Sequence, residues 1–358
     1  MAFDIMRALM EQIAHGQLAQ VTQKGLTMLR YYRKLRRNIA FKQRPIQPDE
    51  QTTWAHELSG RISIAAAPEL VRAATQVLET SVQLKDGSSM RFVYVLPLGE
   101  EELAAGKLRQ LERAAARVAA AFVFYGRRPG GASSLRFVIA PCKEVRCWPQ
   151  NNAETLSFKH INGAYTYRHD GDIFVFRDEE YPKVLLHEML HHSIYDPISE
   201  PAFAGALRDI EAYLKSLLPQ ITSPILVNEG IVEAMATWLH AHFIAADTHM
   251  PFISVWIAER RWATHQAIRL VSRIDAAAAQ KTTWSEETNA VAYLIVRAVC
   301  LLSFDECRKI LERENANPEA LSAFFQKYAK DTVRLLRGLR RIPRKNFKTL
   351  RMTHTGVW

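Results

Sequence analysis

The segment Tyr181 to Tyr195, YPKVLLHEMLHHSIY, constrains this chain more than any other. Pro182 suits the first turn of a helix. Val184, Leu185, Leu186, Met189 and Leu190 then leave that helix little polar surface, so it must be mostly buried. It nevertheless carries His187, Glu188 and His191. Side chains four apart on a helix project from one face, so both imidazoles can reach a single ion. Glu188 is turned by about 100° from His187 and stands beside that ion rather than on it. There it can take a proton from a zinc-bound water, whose pKa the ion lowers toward ~7. The His-Glu-x-x-His spacing is thus a mechanical requirement. Five residues of this kind also coincide by chance in a few per cent of such chains (a rough figure), so a third ligand has to be found.

Ile225 to Trp238, ILVNEGIVEAMATW, supplies candidates. It reads as a second apolar helix with Glu229 and Glu233 four apart on one face. Two carboxylates on the buried side of a helix are costly unless paired or bound to metal. Glu229 is assigned as the third zinc ligand, and Glu233 as acceptor of the second ring N–H of a ligand histidine, which fixes its tautomer. Two alternatives stay open: reversed roles, or two solvent-facing carboxylates.

His187-Glu188-Met189-Leu190-His191 followed by Asn228-Glu229-Gly230-Ile231-Val232-Glu233 resembles the gluzincin group of zinc metallopeptidases. The resemblance implies a zincin-like fold, a two-His, one-Glu zinc site and peptide-bond hydrolysis. The Asn-Glu-Gly step is similar to aminopeptidase-like members, the carboxylate four residues later to thermolysin-like ones. Thirty-seven residues separate His191 from Glu229, about twice the interval common in the group, and a helix over 202–217 would absorb the excess. The Gly-x-Met-Glu-Asn exopeptidase signature is absent. Trp148-Pro149, His160-Ile161-Asn162-Gly163 and Phe176-Arg177-Asp178-Glu179-Glu180, running into the zinc helix, are also similar to predicted metallopeptidases of large DNA viruses.

Elsewhere the periodicity predicts helices over 3–14, 17–37, 68–81 and 100–124, and strands over 90–96, 135–140, 164–168 and 173–176. Pro141 is expected to stop the second strand. Asp170-Gly171 marks a hairpin between the last two. From Glu179 onward the pattern is helical, broken at Asp196-Pro197, Pro219 to Pro224, Met250-Pro251, Lys281 to Ser285 and Asn317-Pro318. The order predicts an α+β fold: a small mixed sheet with the active-site helix, then a mainly helical subdomain. Expected divisions are 1–50, a basic helical region; 51–178, the sheet; 179–326, the helices with the zinc site; and 327–358, a basic tail. A linker is expected over 44–53.

The net charge of +10 is concentrated at the ends: +7 over residues 1–44 and +9 over 327–358, which leaves −6 between them. The helix over 328–341 puts Lys330, Arg334, Arg337, Arg340 and Arg341 away from Val333, Leu336 and Leu339. Such a face can lie on an acidic partner, a nucleic acid or an anionic surface. No nucleic-acid module signature appears, so such binding would be backbone-directed and salt-sensitive. The chain shows no secretory signal and no apolar run of membrane-spanning length, pointing to a cytoplasmic or intracellular protein, open to a viral or virion-associated setting. Cys142, Cys147, Cys300 and Cys307 read as free thiols, with a Cys142–Cys147 bridge as the alternative.

A zincin would bind substrate along an edge strand, and Asn162, Gly163 and Ala164 begin the candidate. The oxyanion wants a donor. Tyr293, near the start of an apolar helix, is chosen over His192, His240, His242 and His265. The leading expectation is a zinc-dependent peptidase, most simply an endopeptidase, acting on a protein or peptide with Glu188 as base. The alternatives are a catalytically silent zincin-fold structural or nucleic-acid- or virion-associated protein, and a metal hydrolase of non-peptide bonds.

Overall fold

The structure is a computed structural model. It describes residues 23–61, 64–100, 102–126, 134–149, 154–167, 171–199, 201–312, 317–339 and 349–353. The helix expected over 3–14 lies outside these residues. Helix α1 spans Gln23–Leu35.

Among the described residues, six strands form one mixed sheet: β1 Lys42–Pro45, β2 Gln76–Gln83, β3 Ser89–Val95, β4 Ser134–Cys142, β5 Ala164–Thr166 and β6 Asp172–Arg177. The order is β1-β2-β3-β4-β6-β5. β3, β4 and β6 run parallel; β1–β2, β2–β3 and β5–β6 pair antiparallel, so β5 is an edge. The three central strands read as unbroken apolar runs because both faces are covered. Phe92, Tyr94, Phe137, Ile139, Ile173 and Val175 enter one core, while Val93, Val95, Val138, Ala140, Phe174 and Phe176 enter the other.

Helices α2 (Pro48–Arg61) and α3 (Ala66–Ala73) close the second face through Trp54, Leu58 and Val71. Helix α4 (Ala105–Ala121) closes the first. Its alanines between Ala114 and Ala121 are buried in the same core as the stacked rings of Phe92 and Phe137. A short helix, α5 (Phe158–Ile161), precedes β5. After β6 come α6 (Tyr181–Leu190), α7 (Phe203–Leu217), α8 (Val227–Thr248), α9 (Phe252–Ala279), α10 (Arg297–Leu302), α11 (Phe304–Leu311) and α12 (Pro318–Leu339). A π-helical turn, Ala292–Val296, leads into α10. The fold is α+β with a mixed sheet, and one apolar cluster joins the inner sheet face to the helices.

Three local expectations are corrected. The expected linker over 44–53 is strand β1 and the start of α2; Arg44 bridges Glu50 and Glu79 there, so its polarity is spent on ion pairs rather than on solvation. The helix expected over 68–81 stops at Ala73, and Val77, Leu78, Thr80 and Val82 form β2, where they pair with β3. Pro141 does not end β4, because the ladder is irregular between Ile139 and Cys142, where a missing N–H is tolerated. All four cysteines are free. No helix among the described residues is long and apolar enough to cross a membrane.

The C-terminal region also differs from the expected basic arm over its described residues. Phe324, Phe325, Val333, Leu336 and Leu339 bury α12 against the body. Thr349–Thr353 then returns as an extended strap with Leu350, Met352 and Thr353 buried.

Candidate metal centre

Helices α6 and α8 pack against each other and place three ligand atoms in a triangle. His187 Nε2 is 3.2 Å from His191 Nε2 and 3.4 Å from Glu229 Oε2, and His191 Nε2 is 3.5 Å from that same oxygen. Ligands about 2.0 Å from one ion at tetrahedral angles stand about 3.3 Å apart. The triangle therefore has the size that one small divalent ion requires, and these residues could hold it.

Each imidazole is fixed from behind. His187 Nδ1 lies 2.9 Å from Glu233 Oε2, and His191 Nδ1 lies 2.7 Å from Asp196 Oδ2. A carboxylate on Nδ1 holds that nitrogen as N–H and leaves Nε2 as the ligand. Asn228 Nδ2 reaches Asp196 Oδ1 at 3.3 Å and Glu229 Oε1 at 3.4 Å, tying a supporting carboxylate to a ligand one. Glu233 also accepts from Lys183 Nζ and from Arg297 Nη1 at 3.0 Å. Lys183, Glu233 and Arg297 are all at most 3% exposed, so this is an interior ion cluster.

The titration tendencies follow. Burial opposes ionisation of Glu233, but Lys183, His187 and Arg297 outweigh it and hold the carboxyl well below its usual range. Burial also opposes charge on Glu229, His187 and His191. The two imidazoles nonetheless hold the Glu229 pKa down, and Glu229, with Glu233 behind His187 and Asp196 behind His191, raises theirs. Protons and a metal ion therefore compete for the two Nε2 atoms.

Tyr293 sits on the π-helical turn, with its hydroxyl 3.2 Å from Glu229 Oε2. Burial, then the charges of Glu229 and Glu188, raise its pKa well above the usual phenol value, so it stays a donor. Gly230 makes this approach available. A Cβ there would lie 2.5 Å from both Ala292 O and Val296 Cβ, so glycine lets α8 touch the turn that carries the phenol. Glu188, His187, Glu233 and Tyr293 line one small cavity of about 30 Å³ with Asn162 and Gly163, which precede edge strand β5, and Ala164, its first residue.

The strap supplies another wall of this cavity through Met352. Glu180 accepts from Met352 N at 2.9 Å and Thr353 N at 2.7 Å, and also pairs with Arg146. Arg297 Nη1 donates to Met352 O at 2.7 Å, so one guanidinium links the strap to Glu233. Glu180 has φ of 62° at the residue before α6, a left-handed conformation that side chains rarely take, directly before the helix that carries His187 and His191.

The structure brings His187, Glu188, His191, Glu229, Glu233, Tyr293 and 162–164 into one place, and leaves the other candidate donors outside it. His192 Nε2 contacts Thr166 Oγ1 at 2.9 Å. His242 is buried against Phe252, and burial pushes its pKa down to about 3. His240 is buried with no partner for either ring nitrogen among the described residues, and His265 lies by Trp262. Sequence reasoning missed Asp196, Lys183, Arg297 and the strap. An aspartate fully buried beside a proline was legible only as a helix stop, and Lys183 and Arg297 carried no periodicity signal of their own. No protein-family model, curated protein or solved structure matches the chain, so its reading rests on these residues.

Proposed function

We infer that the chain is a zinc-dependent peptidase of zincin type with a gluzincin ligand set, His187, His191 and Glu229. The observation that carries this reading is the ligand triangle, 3.2 to 3.5 Å on a side, with both imidazoles backed by carboxylates. Two imidazoles and one carboxylate with a fourth position open suit catalytic zinc.

A zinc ion held there supplies Lewis acidity and brings the pKa of a bound water toward ~7. Glu188, on the cavity wall, takes up the proton of the attacking water and returns it to the leaving amine. Tyr293, kept protonated, donates toward the oxygen that gains charge. Edge strand β5 offers main-chain groups for pairing with an extended peptide.

One observation favours the alternative, a metal-stapled protein without catalysis: the space that water can reach beside the site is small, about 30 Å³. Glu188→Gln separates the two. Under the peptidase reading it keeps metal and loses cleavage of a diverse peptide library by roughly a thousandfold or more. Equal cleavage by the variant removes Glu188 from the mechanism; metal retention with no cleavage by either protein selects the silent alternative.

A further inference from the structure

A second and larger cleft, about 640 Å³, opens beside the strap. Arg351 lines it while the next residue, Met352, lines the metal cavity, so the strap stands between the two spaces. Lys107, Arg109, Arg113, Arg117, Lys143 and Arg351 all face this cleft. Three are already balanced: Lys107 by Asp178, Arg117 by Asp247 and Arg351 by Glu179. The remaining carboxylate on the wall, Glu180, is committed to Arg146 and the strap amides.

Arg109, Arg113 and Lys143 make no close ion pair among the described residues, although the charge of Arg113 also acts on Asp247, which Arg117 holds. The two arginines are one turn apart on α4, and Lys143 follows β4, so cations converge from two separate elements. Like charges facing one cleft repel, and low-dielectric walls focus their field on whatever anion enters. The described wall has no aromatic ring, and Val145 is its one apolar side chain, so it offers no platform for a base or a greasy body. What it can grip is oxyanion groups, which arginine forks bind in pairs. The volume lies in the range of small-molecule sites.

We propose that this cleft is a binding site for a compact polyanion, a short chain of phosphate groups held between Arg109 and Arg113 on one wall and Lys143 on the other. It stands apart from the peptidase reading, because no metal ligand lines it. The phosphate chain can be inorganic or the tail of a nucleoside triphosphate.

Calorimetric titration of the full chain with sodium tripolyphosphate at physiological ionic strength tests it. Saturable binding is expected, with orthophosphate about tenfold weaker or more. Arg113→Glu and Lys143→Glu each weaken binding about tenfold or more, whereas Arg334→Glu, exposed on α12 outside the cleft, changes it less than about twofold. Thermal melts without ligand establish that the variants fold. A nucleoside triphosphate that binds no tighter than tripolyphosphate assigns an inorganic chain; one that binds about tenfold tighter assigns a nucleotide. Equal weakening by Arg334→Glu, no saturation, or tighter binding of an acidic peptide or an oligonucleotide overturns the proposal.

Discussion

Glu229 and Glu233 lie one turn apart on α8, both at most 9% exposed, yet they stand in different chemical settings. Glu233 belongs to a buried ion cluster with Lys183 and Arg297, and His187 Nδ1 is a further donor. Glu229 faces the Nε2 atoms of two imidazoles and the Tyr293 hydroxyl, groups that are neutral in their ordinary forms. The deeper layer is a closed ion cluster, while the upper layer sets Glu229 against two imidazoles and a phenol. Helical periodicity put two identical side chains on one face, and what packs opposite each decides which supports and which binds.

The largest effect that can break this contrast is on stability. Glu233→Ala leaves Lys183 and Arg297 buried without their carboxylate and is expected to cost about 3–5 kcal/mol in denaturant unfolding of the metal-free protein. Glu229→Ala should cost the metal-free protein far less but weaken metal binding by more than about 100-fold, beyond what a supporting residue contributes. Similar stability losses in the two variants would erase the distinction. A step down, Asp196→Asn unseats His191 from behind and should weaken metal binding roughly 10–100-fold with the fold intact. Unchanged metal affinity would make the Asp196 contact structural only.

The smallest effect sharpens the contrast through pH. Folded-state pKa values of His187 and His191 are raised, so their contribution to metal-free stability is full below about 6.5 and is lost as pH rises through the raised values. Glu229 is lowered, so its contribution is present above about 4.5 and lost on acidification. Both describe one interaction seen from its two partners. The metal-free protein should therefore be most stable between about 4.5 and 6.5 and weaken above neutrality, while metal affinity rises as the imidazoles shed protons. Urea midpoints with and without metal, at about pH 6 and about pH 8, should diverge as pH rises. A gap that narrows instead would mean the imidazoles do not carry the competing protons.

Much of the site was legible because it is written in helical spacing. His187 and His191 are four apart, as are Glu229 and Glu233, and each pair sits in a segment too apolar to be exposed. Tyr293 was legible as a lone phenol in an apolar run, and its helix came within reach through Gly230, whose role shows only when the Cβ clash is measured. The sheet was legible where both faces are buried, in β3, β4 and β6, and misread in β2, where the residues beyond Ala73 continue a plausible helical pattern. Asp196, Lys183 and Arg297 escaped because their partners are fixed by packing rather than by spacing. The strap escaped for a different reason. Charge counting saw a basic tail, while Thr349–Thr353 is held by main-chain groups that carry no sequence signal: Met352 and Thr353 amides on Glu180, and Met352 O on Arg297.

Elemental analysis of purified protein equilibrated with zinc, then freed of loosely bound ion, addresses the ligand triangle itself. The native chain should retain about one zinc per molecule, and His187→Ala and Glu229→Ala should retain close to none. His240→Ala, which alters a buried histidine outside the triangle, should retain as much as the native chain. Undiminished zinc in His187→Ala, or none in the native chain, would contradict the assignment of His187, His191 and Glu229 as one metal centre.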